Sequence, residues 1–262
     1  MSTTEHMSGA YYLAVTSDIA LLREEALTVF KPRLDLLRAH SAPADFPWYP
    51  YNSLDNFVWL DALLTGSHRD IFSLAPNRRV ADVGAADGDL GFFLDSLGMT
   101  VDIVDHGLTN ANGLEGARRL RTALKSAVGV HDIDLDSQFR MPQNDYDLVF
   151  FLGILYHLKN PYYALEALRC STRRCVISTR ISRFAGQPRT SIKELPVAYL
   201  LGEREANNDP TNYWIFSETG LLRLVARTGW IVSDFLTVGD TSESDPSSQE
   251  HDERAFCLLS QP

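Results

Sequence analysis

The stretch that decides the fold is Val80-Ala81-Asp82-Val83-Gly84-Ala85-Ala86-Asp87-Gly88-Asp89-Leu90. It is a short apolar run ending in glycines, followed by an amphipathic stripe of Leu90, Phe93, Leu94 and Leu97 that closes at Gly98. Such a passage reads as a buried strand, a tight turn and a helix. Downstream the alternation repeats. Val101–Val104 predicts a second strand, Ser126–Val130 a third, Tyr146–Leu152 a fourth and Arg174–Thr179 a fifth. Asn160-Pro161 caps and starts an intervening helix, and a last helix runs from Ser217 to Arg227 before Gly229. Trp230–Val238 and Arg254–Leu259 read as a late antiparallel pair. Together these predict an α/β fold, a doubly wound, seven-stranded, mostly parallel Rossmann-like sheet.

Before it, residues 1–75 carry helical spacing (Ile19, Leu22, Ala26, Val29, Phe30, then Asn56–Leu64), with Pro32 expected to kink or end the first helix. Phe46-Pro47-Trp48-Tyr49-Pro50-Tyr51 is too proline-rich for a helix and too aromatic for a plain linker. The expected organisation is an N-terminal helical annex acting as a lid over a domain of residues 76–262. The segment Ile181 to Trp214 within that domain is long enough to cover a pocket. Asp240–Asp252 is polar enough to be expected as a mobile loop.

Twenty-four basic and 34 acidic residues in 262 give a formal charge of -10, which disfavours nucleic acid as a partner. The densest basic groups are Arg118, Arg119, Arg121 and Lys125, and Arg173, Arg174, Arg180, Arg183 and Arg189. No apolar stretch approaches a membrane span, and Met1–His6 lacks the basic flank of a signal peptide, so the expected location is cytoplasmic. Three cysteines, Cys170, Cys175 and Cys257, lack metal-ligand spacing, and no metal is expected. Oligomeric state stays open.

The glycine turn is not a dinucleotide fingerprint, because Ala86 and Asp89 stand at its later glycine positions, and it lacks the Gly-Lys-Ser/Thr end of a phosphate loop. Asp82, Asp87 and Asp89 would repel phosphate and suit a cationic, hydroxyl-bearing ligand. S-adenosylmethionine has that chemistry. Asp105 ends the second strand twenty-one residues after Gly84, where a carboxylate can accept a ribose diol, and Asp132-Ile133 offers an acid and an apolar face for adenine. The expected cofactor set is Asp82, Gly84, Ala85, Asp87, Gly88, Asp105, His106, Asp132, Ile133, Leu152 and Gly153.

With these residues in order, the chain resembles the class I S-adenosylmethionine-dependent methyltransferases from about Arg79 to Leu259. It is more narrowly similar to small relatives of the bacterial tRNA wobble-uridine carboxymethyltransferases, through Gly153-Ile154-Leu155-Tyr156-His157, Asn212-Tyr213-Trp214-Ile215 and the aromatic N-terminal segment. The resemblance implies methyl transfer. Phe46–Asp55 contains no Lys or Arg for an extra donor carboxylate, so an ordinary methyl donor is expected. His157 is the expected general base, with Tyr156 beside it, because both follow the fourth strand at the carboxyl edge where doubly wound folds bind ligands. Trp48, Tyr51, Tyr199, Asn212 and Tyr213 are expected to wall a small-molecule acceptor, a hydroxyl compound. A tRNA-modifying enzyme and a non-catalytic cofactor-binding scaffold are the alternatives.

Overall fold

The computed structural model describes residues 18–205, 209–246 and 250–262. The reading of Met1–His6 lies outside them, as does the part of the loop reading that falls on 247–249.

The strands are β1 (Arg79–Val83), β2 (Thr100–Asp105), β3 (Gly129–Asp132), β4 (Tyr146–Leu152), β5 (Thr172–Ile181), β6 (Phe184–Ala185), β7 (Thr190–Ser191), β8 (Ala198–Leu200), β9 (Trp214–Phe216), β10 (Ile231–Gly239) and β11 (Glu253–Ser260). Seven of them form the main path in the order β10-β11-β5-β4-β1-β2-β3. β5 through β3 are parallel, and β11 enters antiparallel between β5 and β10. Buried on both faces, Val80, Ala81, Val83, Leu148, Val149, Phe150 and Phe151 explain why the central strands read as continuous apolar runs. Two short strands, β8 and β9, extend the sheet beside β5. β3 starts three residues later than expected, since Ser126 is spent on Asp95 and the Val128 amide rather than on a ladder.

The helices are α1 (Ile19–Glu25), α2 (Lys31–Ser41), α3 (Phe57–Leu63), α4 (Ile71–Leu74), α5 (Asp89–Ser96), α6 (Glu115–Leu124), α7 (Pro161–Arg169) and α8 (Glu218–Arg227). Pro32 does not end the first helix. A π-helical turn over Ala26–Phe30 joins α1 to α2, its Lys31 amide reaching back to the Ala26 carbonyl, and Pro32 falls in the first turn of α2, where its missing N–H costs little.

One apolar cluster joins the annex to the sheet: Ile19, Leu22, Phe30, Leu34, Phe57 and Leu60 pack with Phe93, Val176 and Phe256. Phe93 receives Phe30 and Phe57 edge-on at 5.3 and 5.1 Å. Burial of each such ring stabilises by about 1.5–3 kcal/mol, enough to hold α1 to α3 on this face. α7 and α8 cover the opposite face with Leu165, Leu168, Leu221 and Val225, and Trp230 fixes their spacing by donating to the Leu165 carbonyl at 3.0 Å.

The described part of Asp240–Asp252 carries hydrogen bonds of its own and to the strands beside it. Asp240 accepts the amides of Ser242 and Glu243, and the buried Ser244 hydroxyl donates to Glu253 and accepts from the Arg183 amide. The polar composition supplies internal partners in place of a core. Among the described residues no helix is long and apolar enough to cross a membrane.

Candidate active site

The carboxyl ends of β1, β2, β4 and β5 bring Gly84, Asp105, Gly153 and Arg180 to one edge of the sheet. The turn after β1 winds through left-handed backbone at Gly84 (φ 72°), Ala86 (φ 54°) and Gly88 (φ 84°). Glycine is required at the first, where a Cβ would stand 2.9 Å from Ile154. Ala86 tolerates this conformation because its amide donates to Asp105 at 2.7 Å and its carbonyl accepts from Asn110 at 3.2 Å. Asp105 also accepts the His106 amide at 2.7 Å, so loop and strand end form one unit. Burial raises the Asp105 carboxyl above its ordinary value, and these N–H donors oppose the rise.

The three loop carboxylates do not present a free negative surface, which corrects the reason given for a cationic ligand. Asp82 lies beneath the turn, fully buried, and accepts the Gly91 amide at 3.0 Å; burial pushes its carboxyl up to about 7. Asp87 turns toward the annex, accepting the Tyr49 amide and the Asn112 side chain, each at 2.8 Å. Asp89 is paired with Arg38 of α2. Asp87 and Asp89 thus tie the annex to the turn, and Asp82 holds the first turn of α5 against the end of β1.

Asp132 accepts the Gly107 amide at 2.7 Å at the end of β3, and the Ile133 amide donates to the Asp105 carbonyl at 2.9 Å. Leu152 packs on the annex-side core, while the Gly153 amide donates to both the carbonyl and the hydroxyl of Ser178.

Beyond Gly153, a 3-10 turn over Leu155–His157 carries Tyr156 and His157, whose rings lie 4.2 Å apart. Nδ1 of His157 is 2.9 Å from the Thr211 hydroxyl and 3.2 Å from the Thr211 carbonyl. That hydroxyl donates to Asp209 at 2.6 Å, and the carbonyl can only accept. Nδ1 therefore carries the ring proton, and Nε2 keeps its lone pair. Burial lowers the imidazole below its ordinary 6.5, with Asp209 opposing, so it is neutral at pH 7.

The expected aromatic wall is only partly assembled. The Tyr213 amide donates to the Tyr156 carbonyl at 2.8 Å, and the buried Asn212 precedes it, so both adjoin the Tyr156 turn. Tyr51 is 73% exposed, Trp48 packs against the annex core beneath Arg38, and Tyr199 donates to Glu205 within a small outlying cluster. Their apolar rings serve local packing or face solvent. Tyr49, 39% exposed, meets the Tyr51 ring edge-on at 5.6 Å, and burial, Tyr156 and Asp105 push its phenol up to about 12.

Sequence reading missed Arg38, Asp209, Thr211 and Arg254. Arg254 heads the apolar run Ala255-Phe256-Cys257-Leu258 at the start of the last strand. The second basic group is no single face: Arg173 and Arg174 open β5, whereas Arg180, Arg183 and Arg189 pair separately with Asp252, Glu253 and Glu243 near its other end.

No family model matches the chain, and no curated protein matches it by sequence. Solved structures do. The N-terminal domain of EvdMO1, crystallised with S-adenosylhomocysteine and D-fucose, superimposes with a TM-score of 0.51 at 14% identity over 73% of this chain and 80% of that one. An S-adenosylmethionine-dependent methyltransferase from Mesorhizobium loti gives 0.51 at 15% over 70% and 90%. The [4+2]-cyclase SpnF gives 0.53 at 11% over 94% and 97%. With its sheet order and these likenesses, the chain has the Rossmann-like fold seen in class I methyltransferases.

Proposed function

We propose that the protein is an S-adenosylmethionine-dependent methyltransferase acting on a hydroxyl of a small-molecule acceptor. The observation that carries this reading is the chain Asp209–Thr211–His157, which fixes the imidazole tautomer with an unprotonated Nε2 beside Tyr156 at the carboxyl edge. A fold shared with a cyclase does not select a reaction, so the residues must.

The donor set suits the cofactor. Asp105 spends three of about four lone-pair directions on Ala86, His106 and Asn110, and the fourth is available to a ribose hydroxyl. The turn from Gly84 to Gly88 would border it, with Asp132 and Ile133 toward the adenine and Leu152 and Gly153 toward the reacting end. When bound, the cofactor supplies an electrophilic methyl carbon on a sulfonium. His157 Nε2 receives the acceptor's hydroxyl proton as the oxygen becomes nucleophilic, Thr211 accepts from Nδ1–H throughout, and Asp209 disperses the positive charge that develops on the ring. Tyr49 and Tyr156, from annex and sheet, narrow the approach and hold the acceptor against solvent.

The test is transfer of isotopically labelled methyl from S-adenosylmethionine to the small-molecule fraction of a cell extract, with S-adenosylhomocysteine measured in parallel. Labelled product from the wild type and at least about a hundredfold slower labelling by His157→Ala is the expected result. Tight S-adenosylhomocysteine binding with no turnover on any fraction would favour the scaffold reading.

A further inference from the structure

Arg180 and Arg254 stand directly opposite each other in the β5–β11 ladder, at the carboxyl edge of the sheet. Like charges in that register repel, and a single carboxylate, Asp252, lies between them: it pairs with Nε of Arg180 and accepts from Nε of Arg254 at 3.4 Å. Arg180 is 2% exposed, and its Nη1 is buried without a hydrogen-bond partner among the described residues. An unpartnered guanidinium N–H away from water is costly, so a fold that retains one has a use for it.

The surroundings say where this excess positive charge acts. Both guanidinium groups exert their field on Tyr156 and on His157. Arg254 lies 5.9 Å from the Tyr156 ring centroid, and its Nη1 would be 3.8 Å from a Cβ on Gly153. Tyr49 senses Arg254 from the annex side. Glu253, next in the chain, is committed to Arg183, and Asp209 to the Thr211 turn. Among the described residues, Asp252 is thus the carboxylate that both cations share beside the proposed base.

We infer that Arg180 and Arg254 form a carboxylate-binding subsite for the acceptor, so that the protein methylates a hydroxy acid or a similarly anionic molecule. The inference rests on the methyltransferase reading and narrows its substrate class. A planar carboxylate can take two N–H donors from the guanidinium pair and neutralise the charge that Asp252 leaves over. Anchored there, an acceptor would present its own hydroxyl toward His157.

The probes are acetate and benzoate, each against its neutral amide, titrated by calorimetry into the full chain saturated with S-adenosylhomocysteine. Each acid should bind at least about tenfold more tightly than its amide, as expected when a charge-assisted bond is lost. Arg254→Met should abolish that preference and leave S-adenosylhomocysteine affinity within about twofold. Arg180→Met should do the same; because it sits deeper and its loss could unfold the chain, the half-exposed Arg254 variant decides. Equal affinity for acid and amide, or no binding of either acid, overturns the subsite while leaving the cofactor result standing. A large loss of S-adenosylhomocysteine affinity in Arg254→Met overturns it too, by moving the carboxylate to the methionine end of the cofactor. So does a carboxylated donor that binds wild type better than S-adenosylmethionine and loses that advantage in the variant. Failure of wild type to bind S-adenosylhomocysteine at all would instead strike the methyltransferase reading.

Discussion

Arg38 of α2 donates to the carboxylate of Asp89 at the start of α5 and lies 4.0 Å from that of Asp87, with all three side chains largely removed from water. The annex is therefore tied by charge to the turn that follows β1, in addition to the apolar packing around Phe93.

Replacing Arg38 by Met should strand two buried carboxylates side by side. Removing one partner of a buried pair costs about 3–5 kcal/mol, far above the value of an exposed bridge. Urea unfolding of R38M, D89N and the double variant measures this. The double variant should be more stable than R38M alone; a loss below about 1 kcal/mol in R38M would mean the pair carries no charge coupling.

Asp82 gives a signed pH dependence. Its carboxyl rises from 3.8 to about 7 on folding, chiefly through burial, with the Gly91 amide opposing and Asp105 and Asp89 adding to the rise. Between those values the folded state binds more protons than the unfolded chain, so this group's contribution falls as pH increases, by at most about 1.4 kcal/mol per unit. Asp82→Asn keeps an acceptor for Gly91 and removes the titration. Its stability relative to wild type should climb from pH 4 toward 7 and then level; a flat difference would place Asp82 in an ordinary environment.

At the ribose position, Asp105→Ala should weaken S-adenosylhomocysteine binding by about 1.5–3 kcal/mol, the range for hydrogen bonds to a charged group. Asn110→Ala, which disturbs only the support of the same carboxylate, should cost less. Calorimetry that finds Asp105→Ala unchanged removes that residue from the binding site.

His157→Ala should lower kcat by about 10² to 10⁴ with little change in cofactor affinity. Because burial depresses the imidazole, the wild-type rate should be lost only as pH falls through a value below 6.5. Thr211→Val keeps the base and loses its orientation, so kcat should drop less steeply. Acidic phenols, already partly ionised, should be least affected by either change; full activity of His157→Ala on a weakly acidic alcohol would make the residue structural.

Transfer RNA should show no measurable affinity at physiological salt, given the charge of -10 and the pairing of Arg119, Arg183 and Arg189 with local carboxylates. Filter binding with a steep salt dependence would restore the nucleic-acid reading.

The parts legible in sequence are those encoded locally. β1, β2 and β4 follow from apolar runs, α7 and α8 from the caps Asn160 and Ser217, and the glycine turn from its own spacing. Residue type also placed Asp105 and His157 at strand ends. The remainder depends on distant pairing: Asp89 looks like a ligand acid until Arg38, fifty-one positions earlier, claims it. Tyr49 and Tyr51 are indistinguishable by composition, and only the folded backbone path gives the Tyr49 amide to Asp87 and leaves Tyr51 the more exposed of the two. β8 and β9 escaped notice because three-residue strands carry too little pattern to count.

The place of β11 has a consequence for assembly. Among the described strands, β10 pairs with β11 alone, yet it precedes β11 in the chain. It has no edge to join until β11 is present, so the outer edge of the sheet waits for the C-terminal segment. The ties from Thr65 and His68 to Asp234 on β10 need that strand in place, so the seam between annex and outer strand depends on β11 as well. A chain interrupted before Glu253 would lack Arg254 and leave β10 as a sticky, partnerless ribbon prone to self-association.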